Sequence, residues 1–273
     1  MTPEEYCKNK TRHSGSSFYH SFKFLPKEKK LAITALYAFC REIDDVVDQC
    51  ADLEIARIKL SWWRQELVDT YKGQAHHPVT KALWPSLSKH GIPRENLEEI
   101  ITGVEMDLTA NRYPVFEDLQ FYCYKVAGVV GILSATLFGY SNSQTIEYAK
   151  KLGTAFQLTN IIRDVGEDAR LNRIYLPMED LAKFNVPATD ILKAQNSEQF
   201  YQLMKFQADR ARQFYKDAFK LLPDEDRKNQ TPGLIMAAIY SALLDEIEKD
   251  GFNVLKYKIA LPPMRKIWIT FRV

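Results

Sequence analysis

Gln157-Leu158-Thr159-Asn160-Ile161-Ile162-Arg163-Asp164-Val165-Gly166-Glu167-Asp168 sets Asn160, Asp164 and Asp168 at four-residue steps. Residues at i and i+4 lie one above the other on a helix, so the amide and both carboxylates share a face. A second stretch, Cys40-Arg41-Glu42-Ile43-Asp44-Asp45-Val46-Val47-Asp48, repeats the spacing with Asp44 and Asp48. Like charges so placed repel and weaken an isolated helix. One such row alone reads as a solvated acidic face. Both rows here sit inside apolar helices, among Ile43, Val46 and Val47 in one and Ile161, Ile162 and Val165 in the other. Arginines flank them: Arg41, Arg163, Arg170 and Arg173. Carboxylates and an amide oxygen suit a hard cation such as Mg²⁺, which keeps waters and binds substrate phosphates. Arginine's planar fork matches phosphate oxygens. Two acidic helices with nearby arginines are what metal-assisted departure of a diphosphate needs, because charge develops on the leaving group.

Outward from these rows the period is helical nearly throughout. Leu31, Ala35, Phe39 and Ile43 recur at four-residue steps, the mark of an amphipathic helix. The pattern predicts further helices over 55–72, with Ile58, Trp62 and Leu67 apolar, and over 79–90. The latter is expected to kink or restart at Pro85 and to stop at Gly91-Ile92-Pro93. Others are predicted over 94–110, 116–138, 144–169, 198–222 and 232–249. Gly128 and Gly131 lie one turn apart in the apolar stretch 116–138. They mark either close helix packing or room for a long chain. No two-residue alternation, fixed repeat or low-complexity linker stands out, so the expectation is one all-α domain over 1–273.

Composition narrows the function classes. The 273 residues are 46% hydrophobic and 26% charged, ordinary for a globular protein. Basic residues number 37 against 35 acidic, a net charge of +2, which argues against a dedicated nucleic-acid binder. Glycines are few, at 11, and neither GxGxxG nor GxxxxGK[ST] occurs, which leaves a Rossmann or P-loop site without support. Cysteines 7, 40, 50 and 123 form no CxxC pair, the pattern of reduced, cytosolic usage. His13, His20 and the adjacent His76-His77 read as surface residues. Lys27, Lys29 and Lys30 read as a solvated run that helps anionic substrates approach. The opening MTPEEYCKNK lacks the order of a secretory signal, and the weakly polar run 126–140 falls short of a spanning helix. The expected compartment is the cytoplasm. The segment 256–273 mixes Lys, Arg, Trp and Phe and reads as docked on the core, with contact to a membrane surface as the alternative.

The chain resembles the squalene/phytoene synthases, head-to-head prenyl transferases of the all-α isoprenoid synthase fold. The resemblance rests on Ser17-Phe18-Tyr19, Tyr37-Ala38-Phe39-Cys40-Arg41 leading into Asp44 and Asp48, Tyr122-Cys123-Tyr124-Lys125-Val126-Ala127-Gly128, and Gln157 to Asp168 continuing to Arg173-Ile174-Tyr175-Leu176-Pro177. The stretches 14–19 and 233–240 are similar to the branch that makes presqualene diphosphate for hopanoids. The resemblance implies a helical bundle with a central cavity that binds two farnesyl diphosphates. It implies Mg²⁺, with Mn²⁺ as a substitute, between Asp44/Asp48 and Asn160/Asp164/Asp168, ionising the donor. The acceptor's 2,3 double bond then attacks the allylic cation, and proton loss closes a cyclopropane. Ser17, Arg41, Arg163 and Arg173 are implied to hold diphosphate oxygens, with Tyr19, Gln157 and Asn160 also on the substrate side. Tyr37 and Tyr122 are implied to line the reacting centre, with Tyr124 as a rival for the second role, and Tyr240 to sit near a diphosphate. NADPH is not expected. A dehydrosqualene or phytoene synthase of carotenoid synthesis is the alternative enzyme, and a non-catalytic helical scaffold the alternative of another class. The product is expected to pass into lipid or to a downstream squalene-forming enzyme, with the protein in loose, peripheral contact with the inner membrane.

Overall fold

The computed structural model describes residues 1–13, 22, 25–50 and 52–272. The helices run α1 (Pro3–His13), α2 (Lys27–Asp48), α3 (Leu53–Tyr71), α4 (Pro78–Lys89), α5 (Arg94–Met106), α6 (Phe116–Cys123), α7 (Val129–Phe138), α8 (Gln144–Arg170), α9 (Met178–Lys183), α10 (Ala188–Leu192), α11 (Glu198–Leu221), α12 (Thr231–Lys249) and α13 (Pro263–Thr270). Among the described residues there is no strand, only one isolated bridge joining Arg112 to Ile174. The expected all-α class is what the chain adopts. Ser17 and Tyr19 lie outside the described residues, as do Phe18, His20 and Phe24.

Local chemistry sets several helix starts. The Asp52 carboxylate accepts from the Glu54 and Ile55 amides at 2.8 and 3.3 Å, capping α3. Ser197 caps α11 through the Phe200 amide at 3.1 Å. His77 caps α4, accepting from the Val79 amide at 3.2 Å, and its ring lies 4.7 Å from that of Trp63. His77 is therefore a half-buried structural residue, not a surface one. The break expected at Pro85 does not occur. Pro85 and Lys81 both face solvent, so the Lys81 carbonyl left without an N–H partner stays open to water.

Two apolar stripes compete on α3. The buried one is Ala56, Leu60, Trp63, Leu67 and Thr70, whereas Ile58 and Trp62 are exposed. On α2, Ala35, Phe39 and Ile43 are fully buried, but Leu31 is exposed. Lys29 is not simply solvated: its ammonium donates to the Phe138 carbonyl at the end of α7.

The core divides in two. One cluster joins α8, α11 and α12; the other joins α1 to α5 with α7. Helix α8 is the axis, packing against α7, α11 and α12. The apolar run 116–138 is continuous helix with a π-helical turn, Tyr124–Gly128, between α6 and α7. At 23 residues it is longer than the 126–140 run suggested, and long and apolar enough to cross a bilayer, yet half of its most apolar window is buried in the bundle. Close packing accounts for Gly131. A Cβ there would fall 2.3 Å from the Ala149 carbonyl oxygen, and one on Gly153 of α8 would fall 2.3 Å from that of Ala127.

Candidate active site

Between the two halves of the core lies a cavity of about 810 Å³. Tyr37, Arg41, Asp44, Asp48, Tyr122, Gln157, Asn160, Arg163, Asp164, Asp168, Arg173 and Tyr240 all line it. Helix α2 brings the first acidic row and α8 the second. Tyr124 is not among the lining residues, whereas the buried Tyr122 is. Arg170 is exposed and outside the cavity lining, so it does not join the other arginines. Tyr122 lies two residues before the π turn; such turns recur at functional sites.

Ion pairs tie the rows together. Arg173 Nη1 lies 3.6 Å from Asp48 Oδ1, so the loop after α8 reaches across to the end of α2. Arg41 lies 3.5 Å from Asp44 and 2.8 Å from Asp45. Asp45 in turn pairs with Lys10 of α1 at 2.7 Å. Arg163 Nε donates to Asp164 Oδ1 at 2.7 Å, its Nη2 pairs with the other oxygen, and it hydrogen-bonds Tyr240. Lys258 Nζ lies 3.1 Å from Asp164 and 2.6 Å from Glu167.

The electrostatics are strained in one sense. Burial, reinforced by Asp48, Asp107 and Asp45 and opposed by Arg41, pushes the Asp44 carboxyl up to about 7. Burial, with Asp164 and Asp107 adding repulsion against Arg173, does the same to Asp168, also to about 7. Burial and the nearby Arg163 lower Lys266.

The donor set fits a hard divalent cation. Asn160 Nδ2 donates to Gln157 Oε1 at 3.3 Å, while its buried Oδ1 has no hydrogen-bond donor. A buried acceptor left so calls for a partner. Asp44 and Asp48 on one wall, and Asn160, Asp164 and Asp168 on the other, are the oxygens that would hold the ion. Among the described residues no three His, Cys, Asp or Glu side chains converge to ligate one ion by themselves. Water and substrate phosphates would have to complete the coordination of an ion held by the rows.

A second cluster was not visible in the sequence pattern. Asp107, just past α5, accepts from the Tyr122 hydroxyl at 2.9 Å and from the Tyr175 hydroxyl at 2.7 Å. The two rings stack at 5.3 Å, and Tyr113 stacks on Tyr175 at 5.8 Å. Burial pushes Asp107 up to about 6 despite the two phenol hydrogen bonds and Arg173. The cluster's sequence cues are Tyr122, expected at the reacting centre, and Tyr175, two residues after Arg173; Asp107 itself has none.

The facing oxygen rows and the arginines among them suit a divalent cation and a diphosphate. The family model for squalene/phytoene synthase matches residues 11–265. The chain is 36% identical to a phytoene synthase of Arthrospira platensis, over 96% of this chain and 89% of that one. A crystal structure of a dehydrosqualene synthase in complex with ligand superposes with a TM-score of 0.89 at 31% identity, covering 99% and 94% of the two chains. Squalene synthase HpnC from Alicyclobacillus acidocaldarius superposes with a TM-score of 0.82 at 27% identity, covering 92% and 95%. The chain belongs to the squalene/phytoene synthase family of head-to-head prenyl transferases, which bind prenyl diphosphates.

Proposed function

We propose that the protein condenses two farnesyl diphosphates head to head, giving presqualene diphosphate and free diphosphate, with Mg²⁺ or Mn²⁺ and without NADPH. The observation that carries this reading is the pair of oxygen rows facing one apolar cavity, with Arg41, Arg163 and Arg173 among them. A divalent cation held there would offset the charge that develops on the departing diphosphate. The three arginines bind phosphate oxygens through charge-assisted hydrogen bonds and fix the leaving group. The apolar wall of α7, α8 and α12 keeps water from the allylic carbocation. Tyr37, Phe156 and Tyr240 line the same space, where an aromatic ring face stabilises a cation through its quadrupole. The Asp107–Tyr122–Tyr175 cluster is the acceptor for the proton lost when the cyclopropane closes.

The names of the relatives favour a second reading. Phytoene synthase and dehydrosqualene synthase share the same first step, and under that reading ring opening follows. Product analysis separates the two. The protein is incubated with farnesyl diphosphate and, separately, geranylgeranyl diphosphate, with Mg²⁺, without and then with NADPH. The extract is dephosphorylated and identified by mass spectrometry. Presqualene alcohol from farnesyl diphosphate, persisting with NADPH, supports the proposal. Dehydrosqualene or phytoene overturns it in favour of the carotenoid reading, and squalene only with NADPH means that the reductive step occurs here too.

A further inference from the structure

We propose that α13 and the segment leading into it form a docking surface for an anionic lipid bilayer at the rim of the cavity. Met264, Trp268 and Phe271 stand at i, i+4 and i+7, so they share one face, and they are 74%, 54% and 73% exposed. Ile269 and Thr270 on the other side are buried, and α13 packs on α12. The helix is thus docked on the core, as the sequence suggested, but with an apolar stripe turned outward. A surface helix normally shows solvent its polar face. An exposed apolar stripe of this kind marks an interaction surface.

Charge decides the occupant. From 251 to 272 the chain carries Lys256, Lys258, Arg265, Lys266 and Arg272 and no carboxylate. Lys258 and Arg265 have carboxylate partners in the bundle, but Lys256 and Arg272 are exposed. The Arg272 guanidinium lies 3.7 Å over the Trp268 ring, holding cation and aromatic together at the surface. Basic side chains interleaved with Trp, Phe and Met suit negative headgroups above an apolar boundary. The location agrees. Lys258, Ile259, Leu261 and Lys266 line the cavity, as does Leu171, which is itself 64% exposed. The segment 258–266 that leads into the stripe thus also forms part of the cavity wall.

The test is flotation of the whole protein with vesicles of phosphatidylglycerol and phosphatidylcholine in about equal amounts, and with phosphatidylcholine alone. The protein should float with the anionic vesicles and much less with the neutral ones. The triple variant Met264→Ser, Trp268→Ser, Phe271→Ser should bind the anionic vesicles at least about tenfold more weakly. The double variant Lys256→Glu, Arg272→Glu should lose affinity by a similar factor and carries the test if the triple variant misfolds by circular dichroism. A wild-type protein that stays at the bottom, or variants that float as it does, would overturn the proposal. Equal binding to neutral vesicles would overturn its choice of an anionic surface.

Discussion

Replacing Gly153 by alanine should force apart the backbones that form one wall of the cavity. A Cβ on Gly153 falls 2.3 Å from the Ala127 carbonyl oxygen, 2.8 Å from its carbon and 3.0 Å from Gly128 Cα. On Gly131 it falls 2.3 Å from the Ala149 oxygen and 3.1 Å from its carbon. An ordinary carbon–oxygen contact is about 3.3–3.6 Å, so each methyl asks for about 1 Å of extra separation. The obstructing atoms are backbone and cannot rotate away. Over-packing of this kind costs about 1–3 kcal/mol, and the upper end applies. Alanine's helix propensity returns about 1 kcal/mol of that. The net loss is about 2 kcal/mol per site, or about 4–8 °C in Tm for a chain of this size. Gly128 is the comparator, because a Cβ there first meets the Tyr124 ring at 3.0 Å, a movable side-chain edge, and backbone only at 3.6 Å. Thermal unfolding followed by circular dichroism should rank Gly128→Ala near wild type and both others well below it. A Gly153→Ala protein as stable as wild type would refute the idea that backbone approach sets this helix crossing.

Two further outcomes follow from buried acids outside the metal rows. Asp226 is 1% exposed and accepts from Thr145 Oγ1, Ser141 N, Ser141 Oγ and Asn142 N at 2.6–3.0 Å. Burial alone would raise its pKa, but these bonds outweigh it and hold the carboxyl at about 2 against an ordinary 3.8. A depressed carboxyl stabilises the fold fully above its unfolded pKa, and that stability is lost as pH falls toward the folded value. Asp226→Asn should therefore cost about 2 kcal/mol near neutral pH, and the deficit should fade between about pH 4 and pH 2. Urea unfolding of both proteins across that range reads it, and a deficit constant with pH would count against the assignment. Asp107→Asn should lower turnover at least about tenfold while leaving the thermal midpoint within about 2 °C. Unchanged turnover would make the phenol cluster a packing feature alone.

The acidic rows were legible because they break a local rule. Carboxylates repeated at i and i+4 among Ile and Val would weaken a helix unless something beyond it offsets the repulsion. That conflict within one element pointed to a site, and α2 and α8 bring the two rows to one cavity. Asp107 offered no such conflict. Its partners Tyr122 and Tyr175 are 15 and 68 residues away, and only the fold makes them neighbours. Lys258 is likewise 91 residues from Glu167. The helical period of α3 leaves its buried face open for a related reason. Ile58 and Trp62 fit the helical period as well as Leu60, Trp63 and Leu67 do, and the edge-on contact of Trp63 with Phe39 of α2 belongs to the buried stripe. Gly128 and Gly131 look alike in sequence, yet a Cβ on Gly131 would collide with the carbonyl of Ala149, whereas one on Gly128 first meets the Tyr124 side chain.

The most direct test of the central reading is Mg²⁺-dependent release of diphosphate from farnesyl diphosphate by Asp44→Asn and Asp164→Asn, one change on each wall of the cavity. Both should lose at least about a hundredfold in turnover while keeping the wild-type helical spectrum. A wild-type rate in either variant would contradict the assignment of the two rows as the site that carries the reaction.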